Sequence, residues 1–498
     1  MEEGLLMKKE EKGRNDIKRE VGWREIIAEM SWVAGPMVAV LVSQYLLQVV
    51  TLMMVGHLGA LYLSSTALAV SLAAATGFSV LLGMASALET ISGQSYGAQQ
   101  YSKLGTQTYT AIFSLTLFSI PLCILWIYMG DILVFIGQDP CISHETGKFM
   151  IYLVPTLISY AVFQPLIRYF QSQTLIMPML VSSCATLCLH IPICWALVFK
   201  SGLNNLGGAV AMGISNWLNA IFLALYMMFS SSCQPTRSPL SMEMFYGVAE
   251  FSRFAIPSAA MVCLEWWSFE LVILLSGFLP NPELETSVLS VCLTTMQTLF
   301  EIPYGISAAA STKIANELGS GNPQAARIAA RGVMVMGVAN GLVVSSILFA
   351  VRRVFGYCFS KDKEVVDYVT TMAPLICVIV ILDSTQAVLS GIARGCGWQH
   401  IGTYVNFGAY YLVGIPVAVA LGFWMRMRGR GLWMGVMVGV LMQSVILCII
   451  TCFTNWEEEV RKARKRVAEE SSRVSNGVYP TTGVGAGELI DDDVHLEG

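Results

Sequence analysis

The chain has 498 residues, 55% of them hydrophobic and 13% charged, with a formal net charge of −4. Soluble domains carry about 25% charged residues, so a string of soluble domains is excluded. With most charge in the two tails and no basic aromatic face, a nucleic-acid binder is excluded too.

The first 29 residues form a charged tail with no apolar core ahead of a small-residue cleavage site, so the first span itself directs insertion. Runs of about 20 apolar residues then mark membrane helices. Twelve are expected, at 30–55, 62–88, 106–130, 149–170, 175–199, 207–231, 254–278, 286–309, 328–350, 368–392, 403–424 and 432–454. The most polar internal connector, 232–253, separates an N-lobe at 30–231 from a C-lobe at 254–454. The tail from 455 to 498 begins as a short charged helix ("WEEEVRKARKR") and continues in Gly, Ser and Asp without periodicity, which reads as disorder. Lys and Arg number 21 on the side of the termini against 9 opposite, which puts both tails and the connector in the cytoplasm. The fold class is therefore an all-α polytopic membrane protein with twelve transmembrane helices.

The two halves repeat. At an offset of 221 residues Ala34 lies over Ala255, Pro36 over Pro257, Gln44 over Glu265 and Gly56 over Gly277; at 222, Gly83, Ala87, Thr90 and Gly97 lie over Gly305, Ala309, Thr312 and Gly319. Six helices per repeat leave the halves in the same orientation, related by an axis along the membrane normal. Two such pseudo-symmetric lobes around a central cleft form an alternating-access arrangement.

Acids inside the spans identify the chemistry. A carboxylate at the centre of a membrane helix costs about 3 kcal/mol on insertion scales and marks a functional site by default. The first-half spans carry none at depth, since Glu89 and Asp131 fall just beyond the expected helix ends. The second half carries Glu265, Glu270, Glu301 and Asp383. Glu265 lies 11 residues, about 17 Å, along the seventh span and Asp383 9 residues, about 14 Å, above the inner end of the tenth. Two acids at similar mid-membrane height can bind and release protons in competition with a cation. Glu270 follows Glu265 by five residues, roughly 140° round the helix, and is expected to face away from the cavity centre. Glu301, beside Pro303, is expected at the inner end, where an interfacial role is as plausible as a proton-binding one.

Gln297 and Asn406 are candidates to orient the acids. Trp266, Trp267, Tyr410 and Tyr411 offer aromatic faces to a flat cation. Gln44 holds the position in the first half that Glu265 holds in the second. Pro36 and Pro257 bend the first and seventh spans at equivalent places, and "RGCGWQ" (394–399) is expected to end the tenth. The scattered His and Cys give no ligand spacing, so neither metal nor cofactor is expected.

The stretches "ALETISGQSYGAQQY" (87–101), "CLEWWSFELVILLSG" (263–277), "IPYGISAAASTKIANELGSGNPQAAR" (302–327) and "LDSTQAVLSGIARGCGWQHIGTYVN" (382–406) resemble the plant multidrug and toxic compound extrusion carriers, the MATE or DETOXIFICATION family. The resemblance runs from about residue 25 to 455. It implies a proton-driven antiporter, not an enzyme, that exports organic cations, xenobiotics or secondary metabolites as a monomer. It also implies that Glu265 and Asp383 carry the proton and substrate roles. The implied partners are protons, a small organic substrate and the lipid bilayer. Sodium coupling and lipid flipping by the same wider fold are the alternatives; the plasma membrane and the vacuolar membrane fit equally.

Overall fold

The computed structural model describes residues 23–358 and 363–478, with no strand among them. Twelve long helices follow in order: α1 (Trp23–Gly56), α2 (Leu61–Gly97), α3 (Ser102–Ile127), α4 (Pro140–Ser172), α5 (Ile176–Phe199), α6 (Asn205–Phe229), α7 (Val248–Ser276), α8 (Pro282–Ser320), α9 (Pro323–Phe355), α10 (Lys363–Cys396), α11 (Gln399–Trp424) and α12 (Arg428–Cys452). All but α8 are long and apolar enough to cross a membrane. Large apolar side chains stand exposed along their outer faces, such as Leu117, Ile120 and Ile124 on α3 and Leu342, Val343 and Ile347 on α9; a belt of that extent needs lipid to cover it. α8 has 39 residues, about 58 Å of helix. Its polar residues are tolerated because α8 packs among α1, α2 and α10 inside the bundle.

Most helices run past the expected spans, because polar end segments stay helical when a neighbour accepts their side chains. "ETISGQSYG" is an example: the sequence reads as a helix end, yet α2 continues through it to Gly97. The connector is likewise shorter than the expected 232–253. α7 begins at Val248, with Phe251 buried in the core of the first six helices. Three bonds pin the connector to α3: Gly105 N–H donates to Thr236 O (3.1 Å), Thr110 Oγ1 to Met244 O (2.9 Å) and Ser238 Oγ to Ser102 O. α2 and α11 contain π-helical turns at Ala74–Phe78, Phe407–Gly414 and Ala420–Trp424, a local widening of the helix that is frequent at functional sites.

α1 and α2 pack against α7 and α8, which makes these four helices the seam between the halves. Small residues let the backbones approach there. A Cβ on Gly83 would stand 2.6 Å from Ala259 Cα, and one on Gly305 3.0 Å from Val38 Cα. At the connector end the repeat-related glycines close the seam reciprocally: a Cβ on Gly97 would meet Asn316 O at 2.0 Å, and one on Gly319 would meet Gln94 O at 2.1 Å.

A thirteenth helix, α13 (Trp456–Val478), extends well beyond the short charged helix expected at the start of the tail; residues 479–498 lie outside the described residues. Val460, Ala463 and Val467 turn its apolar face into the bundle. Lys103 Nζ, at the start of α3, donates to Val467 O (3.1 Å), Arg464 to Ser320 O (3.1 Å) and Arg466 to Cys396 O (3.1 Å). Glu459 accepts from Trp398 Nε1 (3.0 Å). The two arginines sit over Gly321 (φ +85°) and Gly397 (φ +82°), the left-handed residues that follow α8 and α10. Each guanidinium thus covers a helix C-terminus whose last carbonyls lack intrahelical donors.

Candidate functional site

A cavity of about 230 Å³ lies at the seam and takes its walls from both halves. α1 contributes Gln44, Tyr45 and Gln48, α2 Phe78, α4 Tyr160, Gln164 and Arg168, and α6 Asn216. The opposite wall is Glu265, Trp266, Phe269 and Glu270 of α7, Gln297, Glu301 and Tyr304 of α8, and Asp383 of α10. All four acids of the wall belong to the second half. The cavity is therefore acidic on one side, and amide-rich and aromatic with one arginine, Arg168, on the other.

Glu265 and Asp383 are 8% and 7% exposed, so each carboxylate borders the cavity from a nearly enclosed setting. Gln386, one turn beyond Asp383 on α10, donates Nε2 to Glu265 Oε2 (2.8 Å) and to Ser390 Oγ (3.0 Å). On the other side Gln443 Nε2 lies 3.5 Å from Glu265 Oε2 and donates to Asn406 Oδ1 (2.7 Å). Asn406 Nδ2 in turn donates to Met261 O (2.7 Å), one turn before Glu265. A carboxylate held by side-chain amides keeps a fixed orientation in either protonation state, because each amide can rotate an oxygen or a nitrogen toward it.

The other candidates divide. Gln44, Gln297 and Trp266 are in the cavity wall, and Gln44 Nε2 is buried without a hydrogen-bond partner. Asn406 is fully buried behind the wall and acts through Gln443. Tyr410 does not offer its face to the cavity as expected. It is 1% exposed, packed beside Phe269, and donates its hydroxyl to Gln443 Oε1 (2.7 Å). Trp267 is not in the cavity wall and donates Nε1 to Ala75 O of α2 (2.8 Å). Glu270 was expected to face elsewhere, yet it lines the same cavity as Glu265. α7 presents two adjacent stripes, 265/269 and 266/270, to a cavity wide enough to border both. Glu301 also lines the cavity rather than sitting beyond it.

Pro36 and Pro257 are inside α1 and α7. Around the second of them α11 supplies donors to α7: Thr403 Oγ1 donates to Pro257 O (2.8 Å), one turn beyond the Arg253 carbonyl that the proline ring deprives of its helical donor. The α7–α11 seam therefore holds both ends of the segment between the bend and Glu265.

Sequence reasoning missed Gln443, although a lone Gln in the apolar run of α12 is a visible signal. It also missed Arg168 at the cavity floor. Arg168 Nη1 is 2.8 Å from Glu89 Oε1, and Arg394 Nε is 2.9 Å from Glu89 Oε2. Glu89, expected just past a helix end, is 3% exposed in the middle of the closed seam.

The family model described as MatE matches this chain twice, at residues 36–196 and 257–420. Those two segments begin at the repeat-related prolines. Protein DETOXIFICATION 14 of Arabidopsis thaliana is 55% identical over 466 residues, covering 94% of this chain and 96% of that one. Protein DETOXIFICATION 12 of the same plant is 56% identical over 435 residues, 87% of this chain and 90% of that one. Among solved structures, the crystal structure of the eukaryotic MATE transporter AtDTX14 superposes with a TM-score of 0.88 at 56% identity over 90% of this chain and all of that one. An outward-facing multidrug resistance MATE family transporter superposes with a TM-score of 0.74 at 13% identity, which speaks to the fold alone.

Proposed function

Because this chain belongs to the MATE family of membrane transporters, we propose that it is a proton-coupled antiporter exporting organic cations, xenobiotics or secondary metabolites by alternating access. It is a multi-pass integral membrane protein and not an enzyme. The observation that carries the proposal is the placement of all four cavity acids, with Glu265 and Asp383 nearly enclosed, on one wall of a cavity shared by both halves.

The mechanism follows from charge. An organic cation in a cavity of low dielectric is stabilised by ionised carboxylates, and protons neutralise the same groups. Substrate and proton therefore compete for Glu265 and Asp383. Trp266 and Phe269 give a flat cation an apolar and π surface, and Gln297 and Gln44 give it polar contacts. The amide set of Gln386, Gln443 and Asn406 holds Glu265 in place through the exchange. The working units are the lobes 30–231 and 254–454, acting as a monomer in the plasma membrane or the vacuolar membrane.

Efflux of a fluorescent organic cation from reconstituted vesicles tests this. Flux is expected to follow an imposed pH gradient and to be indifferent to sodium. Flux that follows a sodium gradient at constant pH would replace the proton by Na⁺, since carboxylates also ligate that ion.

Pro257 is proposed to let α7 bend differently as the site fills. Pro257→Ala restores the missing helical donor and is expected to slow pH-driven efflux about tenfold while leaving the amount of folded protein unchanged. Wild-type efflux and pH dependence in this variant would rule the bend out.

A further inference from the structure

Beneath the cavity, on the connector side, the seam is closed by a buried polar layer. Its centre is Glu89, whose two carboxylate oxygens each face one arginine. Arg168 belongs to the same half as Glu89, but Arg394 comes from the other. All three are at most 5% exposed. Around them further bonds cross from half to half. Arg168 Nη2 donates to Tyr304 Oη (3.1 Å), and Gln171 Nε2 to Ala308 O and Thr312 Oγ1 (3.1 Å each). Gln399 Nε2 donates to Thr90 Oγ1 (2.6 Å), and Thr90 Oγ1 to Arg394 O. Gln94 Nε2 donates to Gly395 O (3.2 Å) and Asn316 Nδ2 to Ser172 O (3.1 Å).

We propose that Glu89 and Arg394 form the latch that holds the two halves together on the connector side, and that they must part for the cavity to open there. Within this cluster the ion pair is the bond that carries charge from one half to the other. Its geometry is directional and its environment dry, so losing one partner strands a charge in a place water does not reach. The cluster holds two arginines to one acid. While the latch is closed Glu89 screens the arginines from each other. In the open state Arg168 and Glu89 remain a pair within one half, and Arg394 faces water.

The latch is also joined to the proton site by one helix. Asp383, Gln386, Ser390 and Arg394 recur at intervals of three and four residues, which places them along one stripe of α10 about 17 Å long. Gln386 binds Glu265 at the top of that stripe, and Arg394 binds Glu89 at its foot and donates Nη2 to Ser307 Oγ (2.8 Å). A shift of α10 when the acid pair changes its protonation is thereby delivered to the latch. Arg394 is a positioning residue in this scheme, since it does not line the cavity.

The inference rests on the alternating-access reading, and the experiment separates the two. Spin labels at positions 99 and 320 flank the seam at the connector side, on a background in which the native cysteines are replaced, and pulsed dipolar spectroscopy reads the distance between them. Arg394→Gln leaves the Arg168–Glu89 pair intact and is expected to raise the long-distance population about tenfold. Glu89→Gln leaves two arginines facing each other across the seam and is expected to raise it further. Arg394→Lys, which keeps the charge and loses the fork, is expected to fall between wild type and Arg394→Gln. That order is a charge order and not a size order, so a residue that only fills space would not reproduce it. If wild type samples the long distance and neither Arg394→Gln nor Glu89→Gln increases it, the latch is wrong and alternating access stands. If no variant or substrate condition ever yields a long distance, both fail together. Should Glu89→Gln not fold, Arg394→Gln against Arg394→Lys decides the matter alone.

Discussion

Glu265→Gln is expected to lower pH-driven export at least about 100-fold while the protein folds and inserts normally. The substitution preserves volume, and a glutamine oxygen can still accept the bond from Gln386 Nε2 that now goes to Glu265 Oε2. What it removes is the ability to carry a negative charge and to exchange a proton. Asp383→Asn, at the other nearly enclosed acid of the wall, is expected to lose as much. The double variant is expected to lose little more, because two groups that act as one coupling unit do not give additive losses. The check is cation efflux from vesicles under an imposed pH gradient, with protein amount and monodispersity measured alongside. Retention of pH-driven flux in both single variants would move the coupling site to Glu270 and Glu301, which border the same cavity.

The second large effect is steric. Gly97→Ala and Gly319→Ala are each expected to cut export at least about twentyfold, because the new Cβ collides with a main-chain oxygen that cannot move aside as a side chain would. The collisions are reciprocal, Gly97 against Asn316 O and Gly319 against Gln94 O, so the two variants are expected to behave alike. Gly35→Ala, with nothing within 4 Å of its Cβ, serves as the control and is expected to leave export unchanged. The same flux assay reads all three. Wild-type flux from both seam variants would mean that transport does not pass through this closed packing.

Much of this was legible in the sequence, and the reasons differ by feature. The repeat was readable because the seam imposes identity: only small residues fit where backbones meet, so Gly83, Gly97, Gly305 and Gly319 recur at one offset. The acid pair was readable because an ionisable group in an apolar run has no cheap explanation. The latch was not readable, because Glu89 lies in "ETISGQSYG", whose polar residues resemble a loop in one dimension. They are helical because the other half supplies partners, and no local pattern records a partner some 300 residues away. Tyr410 was misjudged for a similar reason. An aromatic on an apolar helix looks the same whether it turns to a cavity or to the buried Gln443.

The brace formed by α13 bears on how the molecule is made. This helix is synthesised after all twelve spans, yet its arginines and backbone join Lys103 of the first half to Ser320 and Cys396 of the second. The bonds that close the seam itself, Glu89 to Arg394 among them, join helices made earlier, whereas those of α13 can be added only once all twelve spans have been synthesised. Translation thus places this brace after the parts that it joins.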